Sequence, residues 1–263
     1  MSFDSLKFQA ILDSLAEDSA KSIPLHWFDI LESTNQTAWE IWKKEKQANI
    51  NAPTKPLIVI AQQQTAGRGQ WGRQWQSDLG GLYLSMALPV CIPANNGAHL
   101  TFLTAWGIAT ILQRYSLPVQ IKWLNDLILE EHKLGGIKTE TRIHQEKITQ
   151  AVIGVGLNWT NPIPDTGINL QAYPTITSLE MLSAIAVSGI LYGYDYYVTF
   201  GIESLLPAYL ELLNSCGRSV IVKGCPGVVV GVTTTGELRV RLQSPGATTE
   251  IHLPPGSISL GYN

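Results

Sequence analysis

Cysteine, charge and long apolar runs are all scarce in this chain. Its three cysteines, Cys91, Cys216 and Cys225, are an odd number, and none forms a Cys-x-x-Cys pair. That pattern argues against a disulfide scaffold or a thiolate zinc site and suits ordinary thiols in a reducing compartment. The five histidines lack a His-Glu-x-x-His spacing, so they read as bystanders rather than as a helix-borne metal site. Only 15% of residues are charged against 45% hydrophobic, which describes a packed globular chain and not a disordered one. A formal net charge of -3 and a pI of about 6.0 provide no broad basic surface, so general nucleic-acid binding is not expected and DNA is not a predicted partner. The first residues include Asp4, Asp13, Glu17 and Asp18 with no basic start before an apolar stretch, unlike a secretory signal. The most apolar window, Met181 to Phe200, contains Asp195 and several tyrosines and reads as a buried helix instead of a membrane span. A soluble, cytoplasmic protein without a membrane partner is the expectation.

At 263 residues the chain can bury one full core and carry a second small module. Leu6, Ala10, Leu12 and Leu15 give residues 1 to 23 the spacing of one helix, stopped by Pro24. Ser33 and Gln36 can form a capping box for a helix bearing Ala38, Trp39 and Trp42, whose first amides could bind a polar ligand. Strand-like runs follow at 57–61, 82–88, 119–123, 135–141 and 148–157, with a helical pattern over 99–115. Residues 161–177 read as a loop and 178–213 as helical. Beyond Asn214, four short alternating runs (219–222, 228–232, 238–242, 249–253) suit a small β-barrel that leans on the main domain. The predicted class is α+β: a mixed sheet with helices on one face over 1–214, and a small β-barrel over 215–263. Exposed strand edges on either unit could pair two copies as a homodimer.

The most informative segment runs from Gln64 to Trp75, Gln-Thr-Ala-Gly-Arg-Gly-Gln-Trp-Gly-Arg-Gln-Trp. Gly67, Gly69 and Gly72 could offer backbone amides to an anion, and Arg68 and Arg73 supply planar cationic donors for phosphate or carboxylate. An Arg-Gly RNA-binding segment or an ordinary surface loop is an equal reading of this motif alone. Three more glycine-marked or polar segments follow: Lys122 to Asp126, Lys133 to Ile137, and Val152 to Asn158. Taken singly, these are a strand-end lysine, a turn aspartate, a hairpin lysine and a close-packed Gly154/Gly156 strand.

In this order, Ser33-Thr34-Asn35, Gln64 to Gly69, Gly81 to Ser85, Lys122-Trp123-Leu124-Asn125-Asp126, Lys133-Leu134-Gly135-Gly136-Ile137 and Gly154 to Asn158 resemble the bacterial biotin protein ligases over residues 27 to 260. The resemblance implies a sheet of the class II synthetase type and an SH3-like C-terminal barrel. With 26 residues before the first match, it also implies a monofunctional member without a DNA-binding domain. It implies ATP-dependent activation of biotin as biotinyl-5'-AMP, with Mg²⁺, and transfer to a lysine of the biotin carboxyl carrier protein of acetyl-CoA carboxylase. Residue by residue, it places Ser33, Thr34, Asn35, Gln64, Gly67, Gly136 and Gly154 on biotin, with Arg68 and Lys133 holding its carboxylate and the α-phosphate. Gln70, Arg73, Trp75, Lys122 and Asn158 fall to ATP or the adenylate, with Trp75 and Asn158 at the adenine. Asn125 and Asp126 fall to magnesium and phosphates, and Asp126 to deprotonation of the incoming lysine. Two departures from the family pattern are Gln70, where several members have Arg, and Leu124, where Pro is frequent and only a local turn is expected to change.

Charge arithmetic asks for the same residues. Two unit negative charges about 4 Å apart repel by roughly 4 kcal/mol at an effective dielectric near 20, so a carboxylate meets a triphosphate only between cations. Arg68, Arg73, Lys122 and Lys133 are those cations, and phosphate activation needs no enzyme nucleophile. The alternatives are a lipoate or octanoate protein ligase or transferase of the same fold, and a biotin-responsive transcription regulator, which the net charge disfavours.

Overall fold

A computed structural model describes residues 3–15, 23–48, 55–244, 247–258 and 260–261. The main unit runs α1 (Ser5–Leu15), β1 (Leu25–Leu31), α2 (Thr34–Ala48), β2 (Leu57–Gln64), β3 (Leu82–Pro93), α3 (Ala98–Arg114), β4 (Gln120–Lys122), β5 (Asp126–Leu129), β6 (His132–His144), β7 (Lys147–Leu157), α4 (Leu179–Phe200) and α5 (Ile202–Glu211). Its seven strands form one sheet in the order β1-β2-β3-β7-β6-β5-β4, parallel only between β1 and β2.

Two strands escaped the sequence reading for different reasons. Edge strand β1 is mostly half-buried, so its own alternation is weak and its pairing with β2 defines it. Strand β5 has four residues and starts inside the Lys122-to-Asp126 motif, where polar side chains mask it. Helix α1 ends at Leu15, and positions 16–22 of the expected helix lie outside the described residues. The expected capping box does not use Gln36, whose side chain instead meets Glu32, Glu40 and Arg68.

Alternation along the strands divides the sheet into two faces. Ile58, Ile60, Met86 and Ile153 point into the large core, which also takes Phe8 and Leu12 of α1 and the buried sides of α3, α4 and α5. This is the expected one-sided helical layer. Helix α2 is the exception: Ala38 and Trp42 pack on Leu57, Val59, Ala87 and Val152 of the opposite face. Helix α4 is capped by Ser178, whose hydroxyl accepts from Met181 N at 3.2 Å, and the helical stretch breaks at Gly201, with φ 73°. Among the described residues, no helix is long and apolar enough to cross a membrane.

The second unit is an antiparallel meander of β8 (Ser219–Val222), β9 (Cys225–Val232), β10 (Leu238–Ser244) and β11 (Ala247–Leu253). Among the described residues β8 and β11 do not pair, so this sheet is open. Its β9–β10 turn docks on the main unit. Trp123 Nε1 donates to Gly236 O at 3.0 Å, and His99 Nε2 lies 3.0 Å from Thr234 O. Burial lowers the His99 pKa, and its Nδ1 lies 3.0 Å from the Tyr197 hydroxyl. Val229, Val232, Leu238 and Val240 join the main core, so the small sheet leans on the large one.

Helices α3 and α4 approach until backbone meets backbone. A β-carbon at Gly107 would overlap the Gly189 carbonyl oxygen, and one at Gly193 the Leu103 carbonyl oxygen. Gly107→Ala must therefore push the helices apart, with an expected loss of about 1 to 3 kcal/mol. Urea denaturation reads this as a lower midpoint at constant slope; an unchanged midpoint contradicts the close approach.

Candidate active site

Strand register builds the floor of the site. Val59, Ser85, Gly154 and Lys138 form one row across β2, β3, β7 and β6, and Ala61, Tyr83, Gly156 and Gly136 form the next. With glycine at 136, 154 and 156 this patch of the α2 face is bare backbone, while the intervening Ile137 and Val155 are buried in the core. Two side chains lie on the patch. A β-carbon at Gly154 would overlap the Asn35 amide, and one at Gly156 would sit 2.6 Å from the Trp75 indole.

A cavity of about 200 Å³ opens there. Ser33, Thr34, Asn35, Gln64, Arg68, Gln70, Arg73, Trp75, Lys122, Asn125, Asp126, Lys133, Gly136 and Gly154 all line it. Five segments separated in sequence thus converge, and Arg68 and Lys133 face one space. Gly67, Gly72 and Asn158, all singled out in the sequence, do not line it. A β-carbon at Gly67 would sit 2.6 Å from Ser77 Oγ and 3.1 Å from Gln64 Nε2, so glycine there leaves room for the 2.8 Å bond between those two atoms. Asn158 is buried behind the site, where Nδ2 donates to Lys133 O (3.2 Å) and Ile168 O (3.1 Å) and Oδ1 accepts from Asn161. It braces the strand that carries Lys133.

The 64–77 loop is closed by its own backbone. Gln64 N donates to Ser77 O, Trp75 N to Gly67 O, Gly69 N to Arg73 O and Arg73 N to Gln70 O. The Gly69 amide is therefore spent on the loop rather than offered to an anion, because a hairpin of this width satisfies its donors internally. Likewise the first amide of α2 is taken: Thr34 N donates to Gln64 Oε1 at 2.8 Å. Two side-chain donors of the loop are already engaged. Arg68 Nη2 reaches Gln36 Oε1 at 2.8 Å, and Gln70 Nε2 donates to Ile137 O at 3.3 Å. Leu124, expected to alter only a turn, is buried against the cavity, follows a cis peptide and accepts at its carbonyl from the Tyr209 hydroxyl at 2.9 Å.

Positive charge concentrates around one carboxylate. Lys133 Nζ pairs with Asp126 Oδ1 at 2.7 Å and lies 5.3 Å above the Trp75 ring. Lys122 is only 6% exposed. Burial is the main cause pushing its pKa down to about 8; Lys133, Arg218 and Arg73 add to the fall and Asp126 opposes it. Asn125 Nδ2 donates to Ile137 O at 2.9 Å, which fixes the amide beside Asp126. One carboxylate and one amide oxygen suit a magnesium ion held chiefly by phosphate oxygens and water. Among the described residues no group of three or more His, Cys, Asp or Glu could hold a metal by protein ligands alone.

The sequence reading missed part of the wall. Trp71, at the loop tip with φ 57°, packs near Gly256, and Pro255, Gly256, Ile258 and Leu260 close one side of the cavity. No local pattern marks a segment after the last strand as site-lining; its approach is purely tertiary.

The chain is similar to known proteins in sequence and in fold. Residues 27–158 match the model of the biotin/lipoate A/B protein ligase family. The "Bifunctional ligase/repressor BirA" of Bacillus spizizenii is 32% identical over 229 residues, covering 82% of this chain and 68% of that protein. The "Biotin--[acetyl-CoA-carboxylase] ligase" of Paracoccus denitrificans is 31% identical over 112 residues, covering 41% and 46%. This chain spans 43% to 68% of the lengths of the four bacterial ligase/repressors it matches. In three dimensions it is similar to a biotin protein ligase from Aquifex aeolicus in complex with biotin and ATP, with TM-score 0.67 and 22% identity over 91% of this chain and 99% of the other. The chain belongs to the biotin/lipoate A/B protein ligase family.

Proposed function

We propose that this chain is an ATP-dependent biotin protein ligase that forms biotinyl-5'-AMP and passes the biotinyl group to a lysine of the biotin carboxyl carrier protein of acetyl-CoA carboxylase. One observation carries the reading: a single cavity joins a cluster of hydrogen-bonding side chains, Ser33, Thr34, Asn35 and Gln64, to the cations Arg68, Arg73, Lys122 and Lys133. A ureido ring offers N–H groups and a carbonyl to the first, and a carboxylate and phosphates suit the second. A lipoyl or octanoyl chain has no N–H or carbonyl at that end and would leave buried polar groups unpaired, which favours biotin within the family.

In the first step a biotin carboxylate oxygen attacks the α-phosphorus, an acyl–phosphate bond forms, and pyrophosphate leaves. Arg68 and Lys133 hold the two anions against their repulsion, while Lys122 and Arg73 take the growing charge on the phosphates. Trp75, lying on Gly156, offers a flat face to the adenine. Asn125 and Asp126 would hold a magnesium ion through water and phosphate oxygens, and it would supply neutralisation of phosphate charge. In the second step an acceptor lysine attacks the acyl carbon, AMP leaves with the bonding pair, and Asp126 takes the amine proton. The loop and Pro255, Gly256, Ile258 and Leu260 limit access of water to the adenylate. Residues 1–214 act as the catalytic unit and 215–263 as the small unit that closes it.

Mass spectrometry of a carrier domain incubated with this protein, biotin and MgATP should show one biotinyl mass on one lysine; an unmodified carrier refutes the reading. Lys133→Ala removes the charge that holds both anions and should slow adenylate formation at least about 100-fold without unfolding the chain. Near-normal turnover rejects that role. Lys122 is charged below its pKa of about 8 and loses its charge as pH rises through it. Affinity for ATP should therefore weaken above pH 8, by about tenfold in charged fraction per unit, and Lys122→Arg should flatten the profile. A drop that persists in the arginine variant assigns it to another group. Gln70 supplies no charge to the loop, so Gln70→Arg should slow release of biotinyl-adenylate severalfold; an unchanged release rate removes that expectation.

A further inference from the structure

Strand β4 has only three residues and stands at the edge of the large sheet, yet it carries Lys122 and leads into Asn125 and Asp126. A ladder to β5 alone would leave the amides and carbonyls of its outer side without partners. The chain leaving α5 takes that side. Ile121 N donates to Leu212 O at 2.8 Å, Asn214 N donates to Ile121 O at 2.9 Å, and Asn214 Nδ2 reaches Gln120 Oε1 at 3.0 Å. One residue further on, a side chain replaces the backbone: Trp123 N donates to Ser215 Oγ at 3.1 Å, and Ser215 is fully buried.

Two more bonds hold the same stretch from behind. The Tyr209 hydroxyl donates to Leu124 O at 2.9 Å, and Trp123 Nε1 donates to Gly236 O at 3.0 Å. Tyr209, Ser215 and Gly236 do not line the cavity, whereas Lys122, Asn125 and Asp126 do. The side chains assigned to ATP thus stand on a backbone fixed from its far side. The hydrogen-bonding end of the cavity has braces of its own: Thr34 N donates to Gln64 Oε1 at 2.8 Å, and Gln64 Nε2 donates to Ser77 Oγ at 2.8 Å.

We propose that Ser215 is a positioning residue for the phosphate half of the cavity: by accepting the Trp123 N–H behind the site it fixes the path of the chain from Lys122 to Asp126, so that its hydroxyl supports ATP binding and not biotin binding. The proposal deepens the biotin ligase reading and rests on it. Loss of the Ser215 oxygen leaves a buried N–H unpaired, and the chain restores a partner only by shifting Trp123. Lys122 is the adjoining residue and shifts with it. A charge displaced by about an ångström loses much of its hold on a phosphate, whereas the hydrogen-bonding end keeps its own supports.

Two measurements on the full chain test this: titration calorimetry with biotin alone, and the KM for ATP from pyrophosphate release in the presence of biotin and MgATP. Ser215→Ala should raise the KM for ATP about tenfold, the size expected for one unpaired buried donor. Its dissociation constant for biotin should stay within about twofold of wild type, because the two ends are braced separately. Ser215→Cys, a weaker acceptor of similar volume, should give a KM between the two. If Ser215→Ala weakens biotin by the same factor as ATP, the residue supports only the fold and the proposal is overturned; an unchanged KM for ATP overturns it as well. Should the alanine variant melt below assay temperature, Ser215→Cys gives the same two readings. A wild type that neither binds biotin nor releases pyrophosphate would instead overturn the ligase reading, and this proposal with it.

Discussion

Where β6 and β7 pass under α2, glycines at 136, 154 and 156 leave the sheet without side chains over several ångströms, and the site forms because something must cover that bare backbone. Asn35 and Trp75 do so from opposite directions, one from the start of a helix and one from the end of a loop. Neither could approach a sheet that carried β-carbons there. The same strands keep Ile137 and Val155 on the other face, so the core is undiminished by the opening. A period of two is enough to separate support from function within a single strand.

Electrostatic concentration follows from that placement. Lys133 leaves β6 beside the bare patch, Lys122 ends β4, and the hairpin between them supplies Asp126, whose Oδ1 pairs with Lys133 Nζ. Gathering like charges in a partly buried space is unfavourable by itself, and Lys133, Arg218 and Arg73 add to the lowering of the Lys122 pKa that burial chiefly causes. An anionic substrate relieves that repulsion, so affinity for carboxylate and phosphate is a consequence of the unliganded arrangement. The rigid core of α3 and α4, packed backbone to backbone at Gly107, Gly189 and Gly193, holds the far side of the sheet while these charges face one another.

Much of this was legible along the chain. Strands β2, β3, β6 and β7 have the β-branched alternation of a half-buried sheet, and α3, α4 and the four strands of the small unit follow their local patterns. Most of the polar motifs fall on the cavity because polar residues and glycines at strand ends are costly unless they line something. Strand β1 was not legible, since an edge strand borrows its identity from the neighbour it pairs with. Helix α2 also reached an unexpected face, which depends on the parallel crossover from β1 to β2 rather than on the amphipathic pattern of the helix. Gly67 and Asn158 stand beside site residues in sequence but behind them in space, serving the Gln64–Ser77 bond and the Lys133 strand.

The sequence alone determined the secondary elements with strong periodicity, the balance of charge, and the inventory of side chains able to hold a carboxylate and phosphates. Those properties are local or additive. Tertiary structure alone decided that Arg68 and Lys133 share a space, that Pro255, Gly256, Ile258 and Leu260 reach the cavity, and that the Gly69 amide is spent within its own loop. Which donor meets which acceptor depends on strand register and chain crossing, and both are set by the packing of the whole sheet between its helical layer and α2.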